Sequence, residues 1–334
     1  LVYSVRSPLC GPRAPMCIIL TKSKPTSTLL VSVPAVVGSD ARFRAWFYRN
    51  TMSGSRPRAH PLQLTAGAAR AAEEKKGDDG SSKGGHVMIV AFPCPEGSED
   101  HTWLLPLATD PTTARAVDSI GKEAARIIEP PSDSRAMNSL SRSRGRAAVR
   151  TARVNTVGNY RISVVHRVEE LETRIDWTQF PKPSNLPHLL SGLRDKAMYP
   201  FHCALVVATA IKDVANDGFG IALPVADHGT ALEAYMPTAH EGPRGEPKVF
   251  DALLVHASHA DRLSDGGKEL AQSRLASGPC RQTSWKAEGV RSHDGHKSEV
   301  TMDVTATTLH VSKLTGRLPN ASFFMHNHHA TDLP

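Results

Sequence analysis

The sequence predicts an α+β protein that is rich in β-strands, with two similar antiparallel sheet halves forming one sandwich-like body with a few short helices. Short apolar and β-branched runs recur along the chain, and clusters of turn-forming residues separate them. One pair of apolar runs, at residues 88–91 and 105–108, recurs at 205–208 and 223–226 with nearly constant spacing. This recurrence predicts an internal duplication that places the two pairs at equivalent positions.

The first pair of strands is predicted at residues 86–92 and 102–107. The first run is unbroken and ends at two closely spaced prolines, and the second follows a turn-like segment, so the two form a predicted hairpin. A helix is predicted at residues 112–129, because apolar side chains recur there at helical spacing, a threonine can cap its start and a double proline follows it. These elements begin a single predicted globular domain, residues 86–325.

The remaining elements alternate between short helices and strands. Each predicted hairpin carries a proline in its second strand, Pro106 and Pro224. Because proline cannot donate a hydrogen bond to a central ladder, these strands are predicted to lie at sheet edges or to be bulged. Further strands are predicted at 160–165, 204–210, 219–225, 248–257 and twice within 300–324, with helices at 166–175 and 184–193.

Residues 1–85 are predicted to be a basic, largely disordered extension that contributes little to the core. Residues 1–60 carry nine basic side chains and one acidic side chain, and the Gly/Ser/Asp-rich stretch at 77–85 has the composition of a flexible tether. Residues 1–51 also have the composition of an organelle transit segment, with upstream or fragment sequence as the alternative. The expected location is therefore cytoplasmic, or an organelle matrix if that segment is a transit peptide.

The cysteines, the apolar runs and the missing motifs limit the expected compartment and the expected classes of function. The five cysteines are scattered without a Cys-x-x-Cys pair, which favours a reducing compartment, and Cys94 and Cys203 lie in apolar stretches where a thiol behaves as a small buried hydrophobe. No apolar run approaches the roughly 20 residues that a spanning helix needs, so no membrane partner is expected. Phosphate-loop, dinucleotide-binding, nucleophile-elbow and His-Glu-x-x-His motifs do not occur in the sequence.

Histidine and aspartate provide candidates for a divalent-metal or acid/base site. His240 lies on a predicted loop and Asp251 lies just inside the next strand, an arrangement that can hold a metal ion or a general acid/base pair. Either His256, His310 or His326 could complete a metal site. The alternative is that Asp251 satisfies loop amides while His240 closes a turn. The His-rich tail, residues 326–334, can equally be an exposed chelator.

An Arg/Ser-rich segment at residues 132–153 is predicted to be an exposed basic loop. Its charge favours an anionic partner such as nucleic acid, although it lacks the aromatic residues that stack on bases. A solvated insertion is the alternative interpretation. The candidate contacts are Arg135, Arg142, Arg144, Arg146 and Arg150.

Four short motifs resemble an uncharacterised bacterial family of β-rich proteins. They are the Met-bearing strand that leads into Phe-Pro at residues 88–93, Val-Gly-Asn-Tyr at 157–160, Pro-Thr-Ala-His at 237–240 and Phe-Asp at 250–251. The resemblance would span residues 86–325. It implies a β-rich fold with two halves and supplies no established activity.

Three classes of function therefore stay open. Strands and turns without a recognisable catalytic constellation favour a non-enzymatic binding or structural module. The alternatives are a metal-dependent hydrolase with a His/Asp site and a basic anion- or nucleic-acid-binding component of a larger assembly.

Overall fold

The computed structural model is rich in β-strands and contains few helices. It describes residues 17–20, 25–52, 87–107, 109–128, 152–183, 186–194, 202–211, 217–225, 235–237, 247–259, 273–319 and 323–324. The helices are α1 (Pro111–Ile128), α2 (Glu170–Thr173) and α3 (Leu186–Leu193). The strands are β1 (Cys17–Leu20), β2 (Pro25–Val37), β3 (Asp40–Met52), β4 (Val87–Pro93), β5 (Trp103–Pro106), β6 (Asn155–Val157), β7 (Tyr160–Val165), β8 (Cys203–Ala210), β9 (Asp217–Pro224), β10 (Tyr235–Met236), β11 (Pro247–Ser258), β12 (Ser273–Pro279), β13 (Trp285–Arg291), β14 (Lys297–Met302), β15 (Thr308–Pro319) and β16 (Phe323–Phe324).

Six strands close a barrel in the order β2-β14-β13-β5-β9-β3, with β3 pairing back to β2. The length of β2 makes this closure possible. One edge of β2 pairs with β3, while the other edge pairs with β11 through Thr28–Ser32 and with β14 through Ala35–Val37. From β11 the sheet continues outward through β15 to β12. The β-rich class is confirmed, but the sandwich description is not, because a closed barrel is the main feature of the large sheet.

A second sheet of five strands packs against the large sheet. Its order is β1-β4-β8-β7-β6, and all its pairings are antiparallel. A shared apolar cluster joins the two sheets, and in it the Trp46 ring lies 5.9 Å from the Phe92 ring, measured between centroids. The core is therefore continuous between the barrel and the smaller sheet.

The two predicted hairpins are not hairpins. β4 lies in the five-stranded sheet, whereas β5 lies in the barrel. Likewise, β8 lies in the five-stranded sheet and β9 lies in the barrel. β4 pairs with β8, and β5 pairs with β9, so each strand meets its counterpart in the sequence recurrence rather than its neighbour along the chain. The internal duplication itself stays a prediction.

The prediction that the proline-bearing strands lie at sheet edges is wrong. β5 lies between β13 and β9, and β9 lies between β5 and β3. Each proline is instead the last residue of its strand. Pro106 pairs with Phe219 of β9 but lies beyond the residues of β5 that pair with β13. Pro224 pairs with Phe43 of β3 but lies beyond the residues of β9 that pair with β5. A central strand tolerates proline there because the missing donor interrupts no second ladder.

The prediction that residues 1–85 add little to the core is wrong for residues 25–52. These residues form β2 and β3, two strands of the barrel, and Leu30, Trp46 and Phe47 are fully buried. Successive strand residues point to opposite faces, and both faces of β3 are buried. The predicted tether at 77–85 lies outside the described residues.

Helix α1 confirms the predicted helix, although its cap differs. The carboxylate of Asp110 accepts hydrogen bonds from the Thr112 amide at 2.9 Å and the Thr113 hydroxyl at 2.7 Å, so Asp110 rather than a threonine satisfies the first turn. Ala116, Ile120 and Ala124 are buried on one face, as their spacing predicts. That face packs against β11, β12, β13 and β15. No helix in the described part of the chain is long and apolar enough to span a membrane.

Candidate functional site

The predicted His/Asp site is not assembled by the residues that the structure describes. Asp251 and His256 both lie on β11, but an odd number of positions separates them, so they point to opposite faces. Asp251 is exposed and His256 is buried, and their backbones are about 16 Å apart along the strand. His240 and His326 lie outside the described residues. Within the described ranges, no group of three His, Cys, Asp or Glu side chains could hold a metal ion.

His256 and His310 are brought together by the sheet. They are directly opposite on β11 and β15, both are buried, and their ring centroids are 6.2 Å apart. The Ser277 hydroxyl lies 2.9 Å from His310 Nδ1, and the backbone of Ser32 pairs with that of His256 on the other side. The result is a cross-strand line of polar residues.

Arg44 joins this line from β3. Its guanidinium is buried and donates to the Ser32 hydroxyl at 3.0 Å, to His256 Nδ1 at 3.2 Å and to the Ala257 carbonyl at 3.1 Å. Because a guanidinium only donates, His256 Nδ1 must accept, which engages the lone pair that a metal ion would need at that nitrogen. We call Ser32, Arg44, His256 and His310 the buried polar row; Ser277 extends it to an exposed position.

A cleft that combines apolar walls with titratable groups lies at one end of the five-stranded sheet. This cleft has a volume of about 420 Å³. It lies between the segment that follows β4, the start of β8, the segment before α2 and the end of α3. Its lining residues are Cys94–Glu99, His166–Glu169, Leu193, Arg194, His202, Cys203 and Leu205.

The thiols of the cleft are protonated at neutral pH. Burial raises the pKa of Cys94 from 9.0 to about 12, and hydrogen bonds from Ser98 and Ala204 offset part of that shift. Burial also raises the pKa of Cys203 well above its usual value. The Cys94 amide donates to the His202 carbonyl at 3.0 Å, which fixes the end of β4 against β8. Cys94 is buried, as expected for a thiol that acts as a small apolar side chain, whereas Cys203 is only partly buried.

His166 is held as a neutral imidazole. Burial is the main cause of its lowered pKa, while nearby Glu99 and Glu170 act in the opposite direction. The Thr102 hydroxyl donates to the Ser98 carbonyl at 3.0 Å, so it accepts from His166 Nε2 at 2.8 Å. This leaves Nδ1 as the acceptor of the ring.

The rim of the cleft carries charges of both signs. His202 Nε2 lies 3.6 Å from a carboxylate oxygen of Glu96, and Arg194 Nε lies 3.5 Å from one of Glu169. The four side chains are more than half exposed, so these pairs are weak and can reorganise around a ligand.

Comparisons with known proteins add a distant likeness in fold. No family model matches the chain, and no curated protein matches it. A crystal structure of baculovirus P35 aligns with a TM-score of 0.43 at 10% identity, covering 92% of this chain and 98% of that chain. A mutated baculovirus P35 after caspase cleavage aligns with a TM-score of 0.42, with the same identity and coverage. A likeness at this level carries no argument about function, and the resemblance to a bacterial β-rich family stays a prediction.

Sequence reasoning missed the cleft and Arg44. His166 and Glu99 stand in no recognisable motif, because the cleft is assembled from segments that are distant in the sequence. Arg44 belongs to the segment predicted to be a disordered basic extension, whereas the structure places it on β3. The available signal was the alternation of Phe43, Ala45 and Phe47, which indicates a strand.

Proposed function

We propose that the chain is a non-enzymatic binding module that holds a short peptide segment in the cleft. One observation carries this proposal. The thiols of the cleft are held in the protonated, unreactive form, while its walls offer apolar surface and charges of both signs.

The protonation of Cys94 opposes covalent catalysis. The thiolate is the nucleophilic form of cysteine, and a pKa of about 12 leaves on the order of one thiolate in 10⁵ at pH 7. Catalytic cysteines have lowered pKa values, produced by neighbouring cations or a helix N-terminus. At Cys94 burial dominates and Glu99 adds to the increase, so the environment acts in the opposite direction.

The mixture of apolar and charged residues in the cleft favours a peptide over a ligand that is entirely apolar or carries charge of one sign. A volume of about 420 Å³ is within the range of small-molecule pockets, and it can hold a few residues. Val168, Leu193 and Leu205 provide apolar contact, while Glu99 and Arg167 provide opposite charges. A peptide that carries apolar, cationic and anionic side chains matches this mixture.

A direct binding experiment tests the proposal. The probe is an acetylated and amidated Lys-Leu-Glu tripeptide, compared with a triglycine of the same form, followed by saturation-transfer NMR. Val168→Trp should fill the cleft and remove the saturation-transfer signal. Val249→Trp is the matched control, because Val249 is an exposed side chain on β11 away from the cleft.

Three outcomes would contradict the proposal. They are equal signals for the two peptides, an unchanged signal in Val168→Trp, and cleavage of the charged peptide by the wild-type protein but not by Val168→Trp. The last result would make the cleft an active site. The metal-dependent hydrolase depends on His240 and on a further histidine such as His326, and the anion-binding component depends on the arginines at 135–150. These residues lie outside the described residues, so both functions stay predictions.

A further inference from the structure

A second concave surface lies on the barrel, away from the cleft. It runs between the first half of α1 and the start of β13, and its volume is about 720 Å³. We call it the helix–strand groove. Hydroxyl groups dominate its lining, including those of Thr112, Ser119, Ser284 and Thr301, and the charged residues that line it are Arg115 and Lys286. No carboxylate is among its lining residues in the described part of the chain.

Arg115 is the main cation of the groove. Its Nε donates to the Pro111 carbonyl at 3.0 Å, one turn earlier in α1, which orients the side chain. Within the described ranges, no carboxylate pairs with its terminal nitrogens. The guanidinium is therefore positioned by the helix while its remaining donors stay available for an anion.

The nearby carboxylates are already engaged by other groups. Asp303 accepts a hydrogen bond from the Ser284 hydroxyl at 2.8 Å, and Glu299 pairs with Lys286 at 2.6 Å. Asp110 accepts two hydrogen bonds at the start of α1. The Lys286 charge is thus partly compensated, and Arg115 is expected to provide most of the attraction for an anion.

Trp285 provides a reporter for the groove. It lines the groove, its side chain is buried, and its indole Nε1 is a donor for which the described residues supply no acceptor. Because this N–H is closed to solvent, its resonance reports a ligand in the groove through the surroundings of the ring rather than through a direct hydrogen bond.

We propose that the helix–strand groove binds the phosphate group of a small molecule. Arg115 supplies charge-assisted hydrogen bonds, and Lys286 adds partial charge. The hydroxyls of Thr112 and Ser119 can donate to further phosphate oxygens. This site is separate from the peptide cleft and does not depend on the function proposed for it.

Titration with inorganic phosphate at pH 7 and constant ionic strength tests this site by ¹H–¹⁵N NMR. The indole N–H resonance of Trp285, assigned by its loss in Trp285→Phe, should shift in a saturable manner. Arg115→Ala should raise the dissociation constant about tenfold or more, since a charged hydrogen bond is lost. Arg126→Ala is the matched control, because Arg126 is an exposed arginine on the same helix that does not line the groove.

The variants separate a built site from general attraction of anions. Equal weakening by Arg115→Ala and Arg126→Ala would overturn the proposal, as would a Trp285 resonance that does not move in the wild-type protein. Arg115 is exposed, so its replacement should leave the fold intact even if Trp285→Phe destabilises the barrel.

Discussion

Replacing Arg44 with alanine should destabilise the protein by about 3–5 kcal/mol, because three neutral buried acceptors lose the donor that satisfies them. The guanidinium donates to three acceptors, which are the Ser32 hydroxyl, His256 Nδ1 and the Ala257 carbonyl. Each buried acceptor that loses its donor costs about 1–3 kcal/mol. Water that enters the vacated space can satisfy part of this loss, so the expected effect lies at the lower end of the summed range.

Arg44→Lys refines the test. A lysine keeps the charge, but its single ammonium group cannot reproduce the planar fork that contacts three acceptors, so an intermediate loss of about 2 kcal/mol is expected. Arg126→Ala controls for removal of an arginine and should change stability by less than about 0.5 kcal/mol, because Arg126 is exposed.

Urea unfolding measures these differences through the midpoint at constant slope. The reasoning would be refuted if Arg44→Ala stayed within about 1 kcal/mol of the Arg126→Ala control. It would also be refuted if stoichiometric zinc stabilised the wild-type protein and His256→Ala removed that effect. The second result would show that the row is a metal site rather than a structural network.

Three further changes test the packing, the helix cap and the pH response. Gly220→Ala should cost about 1–3 kcal/mol, because its Cβ would lie 2.7 Å from the Phe47 ring, and urea unfolding no different from wild type would contradict the packing. Asp110→Ala should cost about 1 kcal/mol in thermal unfolding by loss of the α1 cap, whereas Asp110→Asn should retain most of it. The folded pKa of His166 lies below its usual 6.5, so the stability from its neutral form should be present above pH 6.5 and lost as the pH falls through and below that value. His166→Gln should flatten this loss in urea titrations across that range, and an identical pH dependence in the variant would contradict it.

Local sequence patterns predicted single helices and strands better than they predicted which strands pair with each other. The period of Ala116, Ile120 and Ala124 gave α1 nearly to its ends, since those residues bury one helical face. Closure of the barrel depends on β2 dividing one edge between β11 and β14, which lie more than 200 residues later in the chain. No local pattern encodes that division, and the arginines of β3 obscured the alternation that marks a strand.

The candidate site was predictable only in part, for the same reason. Burial of Cys94 followed from its apolar neighbours, and the structure places it in the core. The grouping of Asp251 with His256 failed because strand alternation sends the two side chains to opposite faces. His256 and His310 meet each other instead, through a register between β11 and β15 that the sequence alone does not specify.

The connection between β4 and β5, which crosses from the five-stranded sheet to the barrel, also forms part of the cleft. β4 ends in the five-stranded sheet, and the chain passes through Gly97, at a φ of 81° that favours glycine, and a 3-10 turn at Ser98–His101 before it enters the barrel as β5. This connection is one wall of the cleft. The Thr102 hydroxyl at its end contacts both Ser98 and His166, so the wall is linked to the segment that follows β7. A ligand in the cleft would therefore contact the junction between the two sheets, and its binding energy would add to the stability of that junction.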